Sequence, residues 1–186
     1  MEEIDHILTE FKNKWNLPAL VCTINMSKRR YTYMQGIADL ASPGVKINMH
    51  SLFEIMSITK TIISVLTFKL VRNKELLLDD CICKYLPQYK NKWRSITIKH
   101  LLNMTSGIFN YYASEDFRKI ICKESNENYT LQRILDLSYQ EDLKIVPGSK
   151  WHYSNTNYVV LGAVIEVATE KNYKIYCKKI FLQLLT

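Results

Sequence analysis

Apolar residues recur at steps of three and four across residues 2–15, where Ile4, Ile7, Leu8, Phe11 and Trp15 fall on one side of a helix. Such a stripe predicts an amphipathic helix lying on a sheet. After Pro18 come two β-rich runs, residues 19–26 and 31–37, joined by a polar stretch at residues 27–30. They predict an antiparallel hairpin, and the absence of glycine from the connection leaves its turn type open. Ser42-Pro43-Gly44 marks a loop. Over residues 59–73 the pattern changes: Ile62, Ile63, Val65, Leu66, Phe68, Leu70 and Val71 cover more than one face, which predicts a central helix buried on most sides. Further helices are predicted at residues 97–104, closed by Gly107, and at 130–139, 155–170 and 173–185. A helix, a hairpin and then mainly helices read as an α+β architecture. Two strands form a marginal sheet on their own, so further structure is expected to complete it.

Composition narrows the class without adding an element. At 186 residues, 47% hydrophobic and 23% charged, the chain has the make-up of one globular domain with a core of useful size. Its net charge of +7 is scattered, apart from Lys28-Arg29-Arg30, Lys178-Lys179 and residues 90–94. With no zinc-finger spacing, RNA-binding aromatic signature or basic stripe, no nucleic-acid partner is expected. The five cysteines are odd in number, in a chain too large to need disulfides, so free thiols are expected. Cys81-Ile-Cys83 has neither the usual gap nor a second cluster, and no metal site is expected. The start, Met-Glu-Glu-Ile-Asp-His, lacks a basic leader and a continuous apolar stretch, and no later segment approaches the roughly eighteen apolar residues of a membrane span. As written, the chain reads as cytoplasmic with no membrane span, and the sequence leaves localisation open between cytoplasm and export.

Two short motifs carry candidate chemistry. In Ser57-Ile-Thr-Lys60, a spacing of three along a helix puts the hydroxyl and the amine on one face, so Lys60 can reach Ser57. An amine acting as base must be neutral, which calls for partial burial or nearby positive potential. A serine at a helix start would also have its N–H and the helix dipole available to a developing oxyanion. The same pair equally fits an ordinary helix start with a solvated lysine. In Tyr153-Ser-Asn155, alternate residues of an extended segment point the same way, so a phenol and an amide can project together into a cleft. Here the competing reading is a turn at Pro147-Gly148 followed by Ser154, Asn155 or Thr156 as a helix cap. Periodicity does not separate these alternatives.

Several segments in order resemble one superfamily. They are Leu52-Phe-Glu-Ile-Met-Ser-Ile-Thr-Lys-Thr, Leu78-Asp-Asp with Lys84-Tyr-Leu-Pro87, Ile96-Thr-Ile-Lys-His-Leu-Leu, Thr105-Ser-Gly107, and Pro147-Gly through Tyr153-Ser-Asn-Thr-Asn-Tyr158. Together they resemble the serine β-lactamases and penicillin-binding proteins, in the branch of class C β-lactamases, DD-peptidases and esterases. The resemblance runs across nearly the whole chain. It implies a single β-lactamase/transpeptidase-like catalytic domain over residues 1–186, with an N-terminal helix and hairpin, a helical lobe and a cleft. It implies Ser57 as acylated nucleophile, Lys60 as its activating base, Tyr153 as proton shuttle and Asn155 as partner of Lys60 and of the substrate amide. Gly107 and Gly148 read as backbone turns framing the cleft. Met104 stands where many relatives carry histidine and is expected to tune packing, and His152 reads as a loop side chain outside any triad.

One part of the resemblance is missing. Relatives add a Lys-Thr-Gly or His-x-Gly strand after the tyrosine motif, and none of Gly36, Gly44, Gly107, Gly148 and Gly162 completes such a triplet. The expectation is therefore a truncated domain without the C-terminal strands and helix of the fold. Loss of one oxyanion donor typically costs ~3 kcal/mol, roughly two orders of magnitude in rate, so impaired catalysis is expected. The hairpin would expose an unpaired edge and an apolar face, open to self-association or to a complementing C-terminal segment. A serine hydrolase acting on an amide, β-lactam or ester, with a small-molecule or peptide acyl substrate and no cofactor, is the first reading. An inactive remnant or binding module that keeps the cleft is the alternative.

Overall fold

The N-terminal helix α1 spans Glu2–Lys14 and is followed by the predicted hairpin, β1 (Ala19–Met26) and β2 (Arg29–Gly36). The computed structural model describes residues 2–122, 130–173, 175–176 and 178. The chain divides into two compact units, Met1–Glu54 and Ile55–Thr186.

In the first unit the strands pair antiparallel from Ala19 opposite Gly36 to Met26 opposite Arg29, leaving Ser27 and Lys28 as the turn. Ser27 has φ 53°, the positive value that primed hairpin turns need at their first central position, here without glycine. The second strand starts two residues earlier than its hydrophobic run, because Arg29 and Arg30 still pair with Met26 and Asn25. The helix is tied to the hairpin by a polar link: Gln35 Nε2 donates to Asp5 Oδ1 and to Thr9 Oγ1, each at 2.8 Å. Its predicted apolar stripe is covered only in part. Ile7, Phe11 and Trp15 are 49–61% exposed, while Ile4 and Leu8 are half-buried. Among the described residues the sheet has two strands.

The second unit is helical. A 3-10 turn at Met56–Ile58 leads into α2 (Thr59–Arg72), and 3-10 turns at Ile82–Lys84 and Pro87–Tyr89 lead into α3 (Lys90–Trp93). Then follow α4 (Ile98–Leu102), a 3-10 turn at Tyr111–Ala113, α5 (Glu115–Cys122), α6 (Leu131–Gln140) and α7 (Thr156–Thr169). Most of the helix predicted at residues 173–185 lies outside the described residues. Thr97 caps α4 in a reciprocal box with His100, and Thr130 caps α6 by accepting from Arg133 N at 3.2 Å.

Leu66 and Leu70 of α2, Leu101 of α4, Leu135 of α6, and Leu161, Val164 and Ile165 of α7 meet in one core. The sequence placed α2 at its centre, buried on most sides. The structure buries only its Ile63, Leu66, Thr67 and Leu70 face, with Val65 and Phe68 45% and 52% exposed. The surrounded helix is α7, which packs on α2, α4 and α6.

A second correction concerns the end of α4. Met104, not Gly107, closes it, with φ 61° in the left-handed conformation that usually selects glycine. Gly107 has φ 77° and serves a close approach instead: a Cβ there would lie 2.3 Å from the Ile145 carbonyl. That approach starts a backbone ladder in which Lys144 N donates to Gly107 O at 2.8 Å, Gly148 N to Thr105 O at 2.8 Å and His152 N to Met104 O at 2.7 Å. The ladder fixes the path into Tyr153. Cys22, Cys81 and Cys83 are free thiols, and no helix among the described residues is long and apolar enough to cross a membrane.

Candidate active site

Ser57 sits in the 3-10 turn that runs into α2. The residue before it, Met56, is held at φ 43°, a left-handed conformation that costs a non-glycine residue on the order of 1–3 kcal/mol. The turn presents the Ser57 side chain to solvent, and one helical turn later Lys60 lies on the same face, half-buried. Lys60 Nζ donates to Ser57 Oγ at 3.0 Å, which places Lys60 in contact with the hydroxyl rather than free in solvent.

The second motif closes on the first from the segment that enters α7. Tyr153 OH is 3.2 Å from Ser57 Oγ, Lys60 Nζ donates to Asn155 Oδ1 at 2.8 Å, and Tyr153 OH donates to the same Oδ1 at 3.2 Å. Ser57, Lys60, Asn155 and Tyr153 thus form a hydrogen-bonded ring. Asn155 occupies the N-cap position of α7 but makes no side-chain cap bond. Its amide faces Lys60 instead, so the capping alternative does not describe it. Lys60 Nζ also lies 5.3 Å from the centroid of the Tyr153 ring and 5.8 Å from that of Tyr158. The Lys60 side chain, and secondarily the Ser57 hydroxyl, hold the Tyr153 phenol below its ordinary pKa, against a small opposing effect of burial.

Packing behind the ring explains its precision. Thr156 Oγ1 donates to Phe109 O at 2.6 Å and accepts from Tyr111 N at 3.1 Å, clamping the start of α7 to the loop after α4. Ser106 Oγ donates to buried Asn157 Oδ1 at 2.5 Å, and Asn157 Nδ2 donates to Met104 Sδ at 3.1 Å. The methionine therefore has a polar as well as a packing contact. Ser64 and Tyr158 hydroxyls, 2.9 Å apart, tie α2 to α7. His152 is part of the loop, with Nδ1 buried and without a hydrogen-bond partner among the described residues.

One residue of this shell escaped sequence reasoning. Asn110 Oδ1 accepts from Asn155 N at 3.2 Å and from Asn155 Nδ2 at 3.4 Å, and also from Tyr112 N at 3.4 Å. By taking the Nδ2 side, Asn110 turns Oδ1 of Asn155 toward Lys60. An asparagine before two tyrosines in a loop carries no local sign of this, because its partner is 45 positions away.

The chain belongs to the Beta-lactamase family, whose family model matches residues 5–186. It is 30% identical over 180 residues to Protein flp of Staphylococcus aureus (strain MW2), covering 94% of this chain and 35% of that protein. Among solved structures it is similar to a D-stereospecific amidohydrolase from Streptomyces sp., with a TM-score of 0.74, 26% identity, and coverage of 87% of this chain and 48% of that one. The octameric penicillin-binding protein homologue from Pyrococcus abyssi shares the fold, with a TM-score of 0.82 at 24% identity over 98% of this chain and 42% of that one. The chain therefore spans about a third of the curated relative and just under half of these structures. Its helix, hairpin and helical lobe correspond to an N-terminal portion of the β-lactamase/transpeptidase fold.

Proposed function

We propose that this chain carries the nucleophile of a serine hydrolase, and that its chemistry is acylation of Ser57 by an amide, β-lactam or ester. The observation that carries this reading is the ring in which Ser57 Oγ lies within hydrogen-bond reach of both Lys60 and Tyr153. Lys60 and Tyr153, both within hydrogen-bond reach of Ser57 Oγ, act together as the pair that accepts its proton. With the pair deprotonated, Ser57 Oγ attacks the carbonyl carbon and its proton passes to the pair. As the C–N or C–O bond of the tetrahedral intermediate breaks, the pair returns that proton to the leaving group. Asn155 orients the pair and offers its amide to the substrate. Water then attacks the acyl-serine and gives a proton to the pair, and as the bond between Ser57 Oγ and the acyl carbon breaks, the pair returns that proton to Ser57 Oγ and the acid is released. The hydrolase names among the relatives support the same class.

Exposure of Ser57 and Tyr153 favours a second reading, a cleft that binds acyl groups without turnover, since a wet site weakens the electrostatics on which acylation depends. One experiment separates the two. Incubation of the folded chain with a fluorophosphonate or a β-lactam, followed by peptide mass spectrometry, is expected to give one adduct, on Ser57, that is lost in Ser57→Ala. A folded sample that acquires no adduct, or an adduct that persists in Ser57→Ala, overturns the enzymatic reading.

The same assay tests Asn110 as a positioning residue. Asn110→Leu removes the acceptor that orients Asn155, and the labelling rate is expected to fall by about tenfold to a hundredfold, the scale of a misplaced catalytic group. Asn110→Asp keeps the acceptor and is expected to restore most of that rate. Equal rates in both variants and the parent would show that Asn155 is oriented without Asn110.

A further inference from the structure

Behind the ring lies a cavity of about 530 Å³ bounded by α2, α6 and α7. Its mouth carries Lys60 and Asn155, its walls include Ile63 of α2, Ile134 of α6 and Val159 of α7, and Glu166 lies towards its far end. On α7 the lining positions Val159, Gly162 and Glu166 continue one helical stripe from Asn155, about 16 Å long at 1.5 Å per residue. Glycine in the middle of a helix costs about 1 kcal/mol relative to alanine. Close packing does not demand it at 162, where a Cβ would meet nothing nearer than the Tyr173 ring at 3.8 Å. The absent side chain leaves the trough open.

We propose that this cavity is the acyl-chain pocket of the hydrolase, and that it selects esters or amides of medium-length apolar acids. The assignment rests on the reading of Ser57 as nucleophile. Lys60 and Asn155 belong both to the hydrogen-bonded ring and to the mouth, so a carbonyl carbon held at Ser57 Oγ has one substituent beside the opening. That substituent is the acyl side chain. Tyr153, the member of the pair outside the lining, hands the proton to a leaving group on the solvent side. The Ile63, Ile134 and Val159 stretch of the lining favours a hydrocarbon, and Thr59, Thr130 and Tyr158 add hydroxyls to the same walls. The Glu166 carboxylate, which accepts from Asn172 Nδ2 at 3.1 Å and Tyr173 N at 3.0 Å, disfavours an acyl chain ending in a carboxylate.

The test uses the 186-residue chain and p-nitrophenyl alkylphosphonates whose alkyl group on phosphorus is ethyl, butyl, hexyl or octyl. Ser57 Oγ forms a bond to phosphorus, the P–O bond to p-nitrophenolate breaks, and the serine proton passes to the Lys60 and Tyr153 pair. Released p-nitrophenolate gives the rate, and intact mass gives the adduct. The rate is expected to rise by about fourfold for each methylene buried, up to octyl. Gly162→Leu and Ile134→Trp, which fill the trough from different helices, are each expected to lower the octyl-to-ethyl rate ratio at least tenfold. A flat series, or a ratio unchanged in both variants, overturns the pocket assignment while leaving Ser57 as nucleophile. If no phosphonate labels Ser57, the nucleophile reading fails and the cavity is judged by octanoate titration calorimetry. Saturable octanoate binding that is lost in Gly162→Leu supports an apolar pocket, and no binding overturns it.

Discussion

Replacing Lys60 by methionine is expected to slow acylation of Ser57 by about three orders of magnitude, within the range typical for loss of a positioned acid–base group. Methionine keeps the length and helix propensity of lysine, so α2 should form as before and only the amine is lost. The amine has two tasks in this geometry. It donates to Ser57 Oγ and Asn155 Oδ1, and it is the principal cause of the lowered pKa of Tyr153. The second task gives a pH signature. If the phenolate accepts the serine proton, the rate falls as pH drops through the Tyr153 pKa and levels off above it. Because Lys60 pulls that pKa down, the parent should level off at a pH below the ordinary phenol value of about 10. In Lys60→Met the levelling should move upward, and in Tyr153→Phe this limb should vanish. Phosphonate labelling rates across pH, with circular dichroism to verify folding, measure all three. A Lys60→Met rate within fivefold of the parent, or an unshifted profile, would remove lysine from the mechanism.

What was legible in the sequence divides along a physical line. Ser57 and Lys60 were readable because helical spacing alone brings them together. Tyr153 and Asn155 were readable because an extended segment alternates its side chains. That the two pairs meet depends on α2 packing against α7, and only the resemblance to a family anticipated it. Asn110 was invisible because its acceptor role requires the loop after α4 and the start of α7 to be adjacent in space. The error over α2 and α7 has a different source. Both segments are apolar around much of their circumference, and periodicity does not say which one receives neighbours on several sides. Met104 was missed as a helix terminator because it takes a backbone conformation that its side chain resists. It is held there because its carbonyl accepts from His152 N and its sulfur accepts from Asn157 Nδ2.

The first unit carries the opposite lesson. Its elements were read nearly to the residue, yet the inference that the apolar stripe of α1 would lie covered on the sheet failed for Ile7, Phe11 and Trp15. Amphipathicity states that a face prefers burial, not what buries it. On α2 the exposed Val65 and Phe68 make the same point, since the pattern that made this helix look central is only partly satisfied.

Trp93→Ala is expected to destabilise the helical unit by about 3–5 kcal/mol, a large fraction of the 5–15 kcal/mol that typically separates folded from unfolded domains. Trp93 is fully buried, and its ring centroid lies 4.9 Å from that of Tyr89 and 5.3 Å from that of Tyr139, the latter nearly edge-on at 86°. These contacts join α3, the 3-10 turn before it and α6, and alanine would leave a cavity that the tethered Tyr89 cannot close. Tyr89 is fixed because its hydroxyl donates to Asp136 Oδ1 at 2.7 Å and accepts from Gln132 Nε2 at 2.6 Å. Phenylalanine at 93 should behave differently. The indole Nε1 is buried with no hydrogen-bond partner among the described residues, and an orphaned donor costs about 1–3 kcal/mol. Trp93→Phe removes that cost while losing some packing, so the two changes oppose each other and a net effect within about 1 kcal/mol is expected. Thermal melts followed by far-ultraviolet circular dichroism should show the alanine variant lower by roughly 10 °C and the phenylalanine variant close to the parent. If both variants fall equally, the N–H has a partner after all and the aromatic cluster is held by polar contact as well as by packing.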